Sequence, residues 1–246
     1  MKTLYIIPAR YGSSRFPGKP LADIDGKSMI QRVWEQVQKI PDASVIVATD
    51  DERIASHVAS FQGKAVITSA HHASGTDRCA EVVKKINDTF DVIVNVQGDE
   101  PFIDPEPLMQ LAALFVNESV KIGTLVKEVP FDSEYANPNL VKCLLNKQKE
   151  AIYFSRFPLP YQRNPQAPVA NAHYYKHIGI YAYRPEVLLE ITALPLGFLE
   201  ESESLEQLRW IENGFRIHTL ETHTESISVD TPDDLIRAVA HSRSKE

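Results

Sequence analysis

Leu4-Tyr-Ile-Ile-Pro-Ala-Arg-Tyr-Gly-Ser-Ser-Arg-Phe-Pro-Gly-Lys19 joins a short apolar run to a polar, cationic loop. Residues 4–7 read as a buried strand, a run of four apolar side chains with no polar face. Residues 9–19 then place Arg10, Arg15 and Lys19 among two glycines and two serines, and no acid follows until Asp23. Gly12 and Gly18 permit close backbone approach and positive φ, and the three cations are charge-assisted donors. A loop of this make-up directly behind a strand is suited to phosphate. Its spacing is neither the Gly-Lys-Ser/Thr ending of a P-loop nor the G-x-G-x-x-G of a dinucleotide site.

Further along, strand-like runs at 45–48, 65–68 and 92–96 alternate with helix-period segments at 28–39, 51–61, 76–87 and 106–117. This rhythm predicts an α/β fold, Rossmann-like, with a mostly parallel sheet flanked by helices. Ligands of such sheets bind beyond the carboxyl ends of the strands, so the phosphate loop after the first strand and Gln97-Gly-Asp99 after the fourth are expected to meet there. From about residue 122 the pattern turns β-rich, with runs at 122–129, 141–145, 151–155 and 178–183 around a proline-rich stretch, 158–168. These predict a second, more antiparallel sheet or smaller lobe over about 122–183, with a hairpin turn at 146–149. Helices at 185–193 and 200–213, a strand at 215–219 and a last helix from Thr231-Pro232 complete the reading.

The 246 residues suffice for one large domain with a sizeable core, and 43% hydrophobic with 24% charged residues is ordinary for a globular enzyme. Thirty-three acids against 26 bases give a formal charge of −7, which argues against nucleic-acid and membrane-surface binding. Cys79 and Cys143 are too far apart in sequence for a C-x-x-C motif, and free thiols in a reducing cytoplasm are expected. The first residues carry no secretory signal, and no segment reaches the roughly 20 apolar residues of a membrane span.

Two carboxylates leave strand ends near this edge. Asp99 follows Asp91-Val-Ile-Val-Asn-Val-Gln-Gly98, and Asp230 follows Ile227-Ser-Val229. Together at a phosphate loop they would suit Mg²⁺, which takes oxygen ligands and completes its shell with water and phosphates. Asp230 can equally be read as the cap of the last helix. Ser74-Gly-Thr-Asp-Arg78 is a candidate anion- or base-binding turn, in which Thr76 can cap the next helix and Arg78 sits in its first turn. His71 and His72 read as exposed loop residues. Arg156 and His177, at the ends of strands, could take an acidic sugar, whereas Glu206 and Arg209, three apart on one helix, read as a solvated ion pair.

Taken in order, the phosphate loop through Leu21, Ala48-Thr-Asp-Asp51, Ser74-Gly-Thr-Asp-Arg78, Asn95-Val-Gln-Gly-Asp-Glu-Pro101, Tyr153-Phe-Ser-Arg156, Lys176-His-Ile-Gly-Ile-Tyr181, Leu205-Glu-Gln-Leu-Arg209 and Val229-Asp-Thr-Pro232 resemble the CMP-Kdo synthetase family, the 3-deoxy-manno-octulosonate cytidylyltransferases. The resemblance runs from residue 4 to about 235. It implies a nucleotide-diphospho-sugar transferase fold, one cytidylyltransferase domain over 1–246, and a homodimer whose β-rich lobe serves dimerisation and sugar binding. It also implies transfer of CMP from CTP to the anomeric hydroxyl of Kdo, for lipopolysaccharide assembly, with Mg²⁺ as cofactor.

By that resemblance Ala9, Arg10, Ser13, Ser74, Gly75, Thr76 and Arg78 line the nucleotide site, and Arg15 and Lys19 hold the triphosphate. Lys19, Asp99, Asp230 and Arg15 form the catalytic set, with Asp99 and Asp230 as metal ligands. Gln97, Arg156, His177, Tyr181, Glu206 and Gln207 surround the sugar acid. The same motifs leave open the 8-amino-8-deoxy sugar as acceptor, a CMP-sialic acid synthetase, and a non-catalytic CTP- or sugar-binding module.

Overall fold

In the computed structural model, which describes residues 1–12, 15–164, 172–224 and 226–244, the first strand is covered on both faces. β1 (Thr3–Ala9) turns Tyr5 and Ile7 into one core and Leu4 and Ile6 into the other, so an unbroken apolar run satisfies both layers. It pairs in parallel with β4 (Ser44–Thr49) on one side and β6 (Val92–Asn95) on the other, and β5 (Lys64–Ile67) extends the parallel edge beyond β4. One layer is formed by α1 (Met29–Gln38), α2 (Glu52–Ser60) and α4 (Pro105–Ala113), the other by α3 (Gly75–Lys85) together with α5 (Pro185–Ile191) and α7 (Gln207–Glu212). A two-residue ladder, β2 (Asp23–Ile24) with β3 (Lys27–Ser28), closes the phosphate loop against α1.

The β-rich second half departs from a separate lobe. β7 (Ile122–Val129) and β10 (Tyr174–Tyr183) join the central sheet, whose order is β11-β7-β10-β6-β1-β4-β5 with β11 (Ile217–Glu221) parallel to β7. β10 runs antiparallel to both β6 and β7, and Ile180 and Ala182 enter one core while Tyr181 and Tyr183 enter the other, so this strand needs a place in the sheet that is covered on both faces. What projects is a smaller hairpin, β8 (Lys142–Leu145) and β9 (Ala151–Ser155), held to the first half of β10. Its turn needs no glycine: Lys149 takes φ +60°, and Asn146 Oδ1 accepts from the Gln148 and Glu150 N–H groups.

The helix expected at 200–213 is two, α6 (Phe198–Glu203) and α7, broken where Ser204 enters the left-handed region at φ +52°. Arg209 consequently reaches back to Glu200, with Nη2 2.7 Å from Oε1, and does not pair with Glu206. α8 (Pro232–Arg243) packs through Ala238 against Ile24, Met29 and Val229, a third apolar cluster that brings the C-terminal helix to the phosphate loop.

Candidate active site

The loop after β1 folds back on itself, with Gly18 N–H donating to Tyr11 O at 2.9 Å. Gly18 has φ +72°, and a Cβ there would sit 3.2 Å from the Tyr11 ring, so both conformation and space favour glycine. Beside it opens a cleft of about 280 Å³ lined by Ala9, Arg10, Arg15 and Lys19 from the loop, Ser74, Gly75 and Arg78 from α3 and the turn before it, and Gln97, Asp99 and Asp230. Ser13 lies outside the described residues. Gly98 allows the β6 loop to cross the end of β1, since a Cβ would meet Pro8 O at 2.5 Å.

Lys19 stands at the centre. Its Nζ lies 2.9 Å from Asp99 Oδ2 and 3.1 Å from Asp230 Oδ1, and Arg15 Nη2 reaches the same Asp230 oxygen at 3.2 Å. A backbone hydrogen bond joins the two acids' segments: Val229 N–H donates to Asp99 O at 2.9 Å. Asp230 is not the cap of α8. Thr231 takes that role through a capping box with Asp234, leaving the Asp230 carboxylate to face the cleft.

At the N-terminus of α3 the cap is Ser74, in a capping box with Asp77, whereas Thr76 lies in the first turn. Ser74 Oγ and Thr76 Oγ1 stand 2.8 and 2.7 Å from the two oxygens of Glu206. Burial raises the Glu206 pKa, and these two hydroxyls act in the opposite direction. The α6–α7 break therefore carries Glu206 to the nucleotide-side helix. Arg78 is buried, its guanidinium held by Thr68 Oγ1 and by Asp50 Oδ2 at 3.1 Å, so it ties the ends of β4 and β5 to the cleft wall.

His72, read as an exposed loop residue, also lines this cleft, and Glu81 on α3 holds its Nε2. The only signal for it in the sequence is a glutamate nine positions on. His71 is exposed, as expected.

Next to the cleft a second hollow of about 450 Å³ is lined by Glu100, Asn137, Lys176, His177 and Gly179 among others. Gln97 donates its amide to Gly179 O and thereby joins the two hollows. His177 Nε2 lies 2.9 Å from Thr124 Oγ1, and its ring packs between Phe154 and Tyr181. Burial holds its pKa down at about 3, so the ring is neutral at ordinary pH. Burial, with the Asp99 charge behind it, raises Glu100 to about 7. Tyr181 and Gln207 are buried and line neither hollow.

Arg156 is not brought to either hollow. Its guanidinium donates to the carbonyls of Glu203 at 2.8 Å, Pro138 at 3.1 Å and Ser204 at 3.3 Å, the first and last of which the Ser204 corner turns toward it. A larger hollow, about 730 Å³, lies against the β8–β9 hairpin, but it contains no residue of the phosphate loop and neither cleft carboxylate. Volume alone does not locate the chemistry. Among the described residues no group of three or more His, Cys, Asp or Glu is arranged to hold a metal, and no helix is long and apolar enough to cross a membrane.

Comparison with known proteins bears on this arrangement. The family model described as cytidylyltransferase matches residues 4–222. The chain is 53% identical over 246 residues to the 3-deoxy-manno-octulosonate cytidylyltransferase of Parabacteroides distasonis, covering 98% of each chain. It is 54% identical over 243 residues to that of Bacteroides thetaiotaomicron, covering 97% of each. Among solved structures, CMP:2-keto-3-deoxy-manno-octonic acid synthetase complexed with CTP superposes with a TM-score of 0.92 at 42% identity over the whole of both chains.

Proposed function

The chain belongs to the 3-deoxy-manno-octulosonate cytidylyltransferase family, and from that membership we propose that it transfers CMP from CTP to the anomeric hydroxyl of Kdo. The observation that carries the reading is the meeting of Lys19, Asp99 and Asp230 beside the phosphate loop. In the reaction the anomeric hydroxyl oxygen attacks the α-phosphorus and its proton passes to solvent, a new P–O bond forms, the bond from the α-phosphorus to the β-phosphate's bridging oxygen breaks, and pyrophosphate leaves. Alignment and neutralisation of charge dominate such a transfer.

Arg15 and Lys19 neutralise the triphosphate, and Lys19 exchanges its carboxylate partners for the leaving pyrophosphate. Ala9, Arg10, Ser74, Gly75, Thr76 and Arg78 bind the nucleoside. Gln97, His177, Tyr181, Glu206 and Gln207 orient the sugar acid, and Arg156 can reach the sugar's carboxylate only by leaving its three carbonyls.

The two facing carboxylates are an all-oxygen pair already gathered around one cation, Lys19, which fits Mg²⁺. Asp99 and Asp230 would hold the ion, whose chemistry is neutralisation of phosphate charge as a Lewis acid. We place the protein in the cytoplasm, where its buried thiols Cys79 and Cys143 stay reduced. We also read it as a homodimer joined through the 122–183 region, where Ile152, Phe157 and Tyr161 are exposed. A monomer by gel filtration at working concentration would contradict that contact.

Pyrophosphate release with CTP and a panel of sugar acids tests the activity. Turnover with Kdo is expected. Turnover only with the 8-amino sugar or with sialic acid would replace the acceptor, and silence with every acid would leave a binding module.

A further inference from the structure

A lysine that reaches no cavity connects several parts of the sugar side. The Lys142 side chain is fully buried, and its ammonium donates to Asn137 O and Arg156 O, each at 2.7 Å. The ring of Tyr135, itself 2% exposed, lies 5.6 Å from Nζ, and the Tyr135 hydroxyl donates to Leu159 O at 2.7 Å. Burial lowers the Lys142 pKa, with Glu203 opposing that shift. A buried ammonium is costly, and two carbonyls and an aromatic face are what make it tolerable here.

The position of this cation matters more than its presence. Asn137 and residues 139–141 form one wall of the 450 Å³ hollow. Lys142 is the next residue and stands opposite Lys176 in the β8–β10 ladder, while Val141 O accepts the His177 N–H at 2.8 Å. Its second acceptor belongs to Arg156, whose guanidinium grips Glu203 O and Ser204 O, three and two residues before Glu206. By its ammonium one residue thus connects the hollow's wall and, through Arg156, the corner from which Glu206 reaches α3, and by its backbone it joins the His177 strand.

We propose that Lys142 is a positioning residue for the sugar-acid half of the reaction, fixing the distance between the wall at 137–141 and the segment of Arg156. The inference rests on the Kdo reading of the site. Removing the ammonium takes from Arg156 O its donor and leaves Asn137 O only the Leu140 N–H, so the two segments lose their shared tie, while both acceptors of the ammonium lie outside the phosphate loop. A displacement of about 1 Å at a substrate-positioning group costs up to about a hundredfold in rate, so an effect of about tenfold or more on the sugar is expected.

The test is steady-state kinetics of full-length Lys142→Met with CTP and Kdo varied separately, alongside circular dichroism and thermal unfolding. The expected result is a Kdo KM raised about tenfold or more with the CTP KM within about twofold of wild type, and partial recovery in Lys142→Arg. A lowered kcat with both KM values unchanged, or equal rises in both, would mean a purely structural role and overturn the proposal. If Lys142→Met does not fold, Lys142→Gln, which keeps one donor group, carries the test. A several-fold rise confined to the Kdo KM supports positioning, and an unchanged Kdo KM overturns it. Failure of both variants to fold assigns Lys142 to folding alone and also overturns it. Inactivity of the wild type toward every sugar acid would instead refute the Kdo reading.

Discussion

The halves of the site proposed for the nucleotide and for the sugar are built in opposite ways. The half proposed for the nucleotide is open and charged: Arg10 is exposed, and Arg15 and Asp230, 66% and 41% exposed, pair directly with each other at 3.2 Å. The half proposed for the sugar draws on Tyr181 and Gln207, buried behind the hollow, and on a neutral, half-buried His177 in its wall, with Lys142 buried next to that wall. Chemistry and stability are therefore separable in the first half and entangled in the second. Charges at an open edge contribute little to folding, whereas buried polar groups must be satisfied for the fold to hold.

Asp99→Asn is the largest expected effect that follows from this contrast. Turnover should fall by about three orders of magnitude, the scale of losing a preorganised electrostatic contact, with thermal unfolding close to wild type because the Asp99 carbonyl still accepts from Val229. A folded variant with near-normal kcat would remove the carboxylate from the reaction.

His177→Gln should raise the Kdo KM and also change stability with pH. The folded-state pKa of about 3 lies below the ordinary 6.5, so the stability gained by keeping this ring neutral is complete above about pH 6.5 and is lost as pH falls toward 3. The variant lacks that loss, so the stability gap between it and wild type should narrow by about 2 kcal/mol between pH 7 and pH 5. A gap that stays constant in denaturant titrations at the two pH values would mean that His177 is not held neutral by burial.

The smallest effect is expected for Arg53→Ala. Arg53 is 60% exposed, pairs with Asp51, and lies 3.4 Å from the centroid of the Tyr11 ring behind the phosphate loop. Its loss should raise the CTP KM no more than about twofold, in line with the small worth of exposed ion pairs and cation–π contacts. A tenfold rise would show that the open half is less tolerant than its exposure implies.

Most of the nucleotide half was legible in the chain, because the loop's cations, Gly18 and Gly98 lie beside strands recognisable from a few residues of apolar sequence. Ser74 and Arg78 were legible as a helix start, although Ser74 and not Thr76 forms the cap. The sugar half was legible only through motif order. The turn of Arg156 to the Glu203 and Ser204 carbonyls and the break that frees Glu206 both depend on Ser204 adopting a left-handed backbone that its residue type does not demand, and the packing of His177 between Phe154 and Tyr181 depends on distant strands meeting. His72 escaped because its partner Glu81 lies on the following helix.

By itself the sequence determined the alternation of strands and helices, the phosphate loop and the family, since each rests on local periodicity or on residue types at fixed spacing. Only the tertiary structure decided that β10 inserts antiparallel into the central sheet, that Thr231 caps α8 so that Asp230 is free, and that Asp99 and Asp230 meet around Lys19. The reason is physical. Periodicity fixes which face of a segment is buried, but which distant segments share a core depends on their fitting together, and here one backbone hydrogen bond between Val229 and Asp99 brings the two acids to the same cleft.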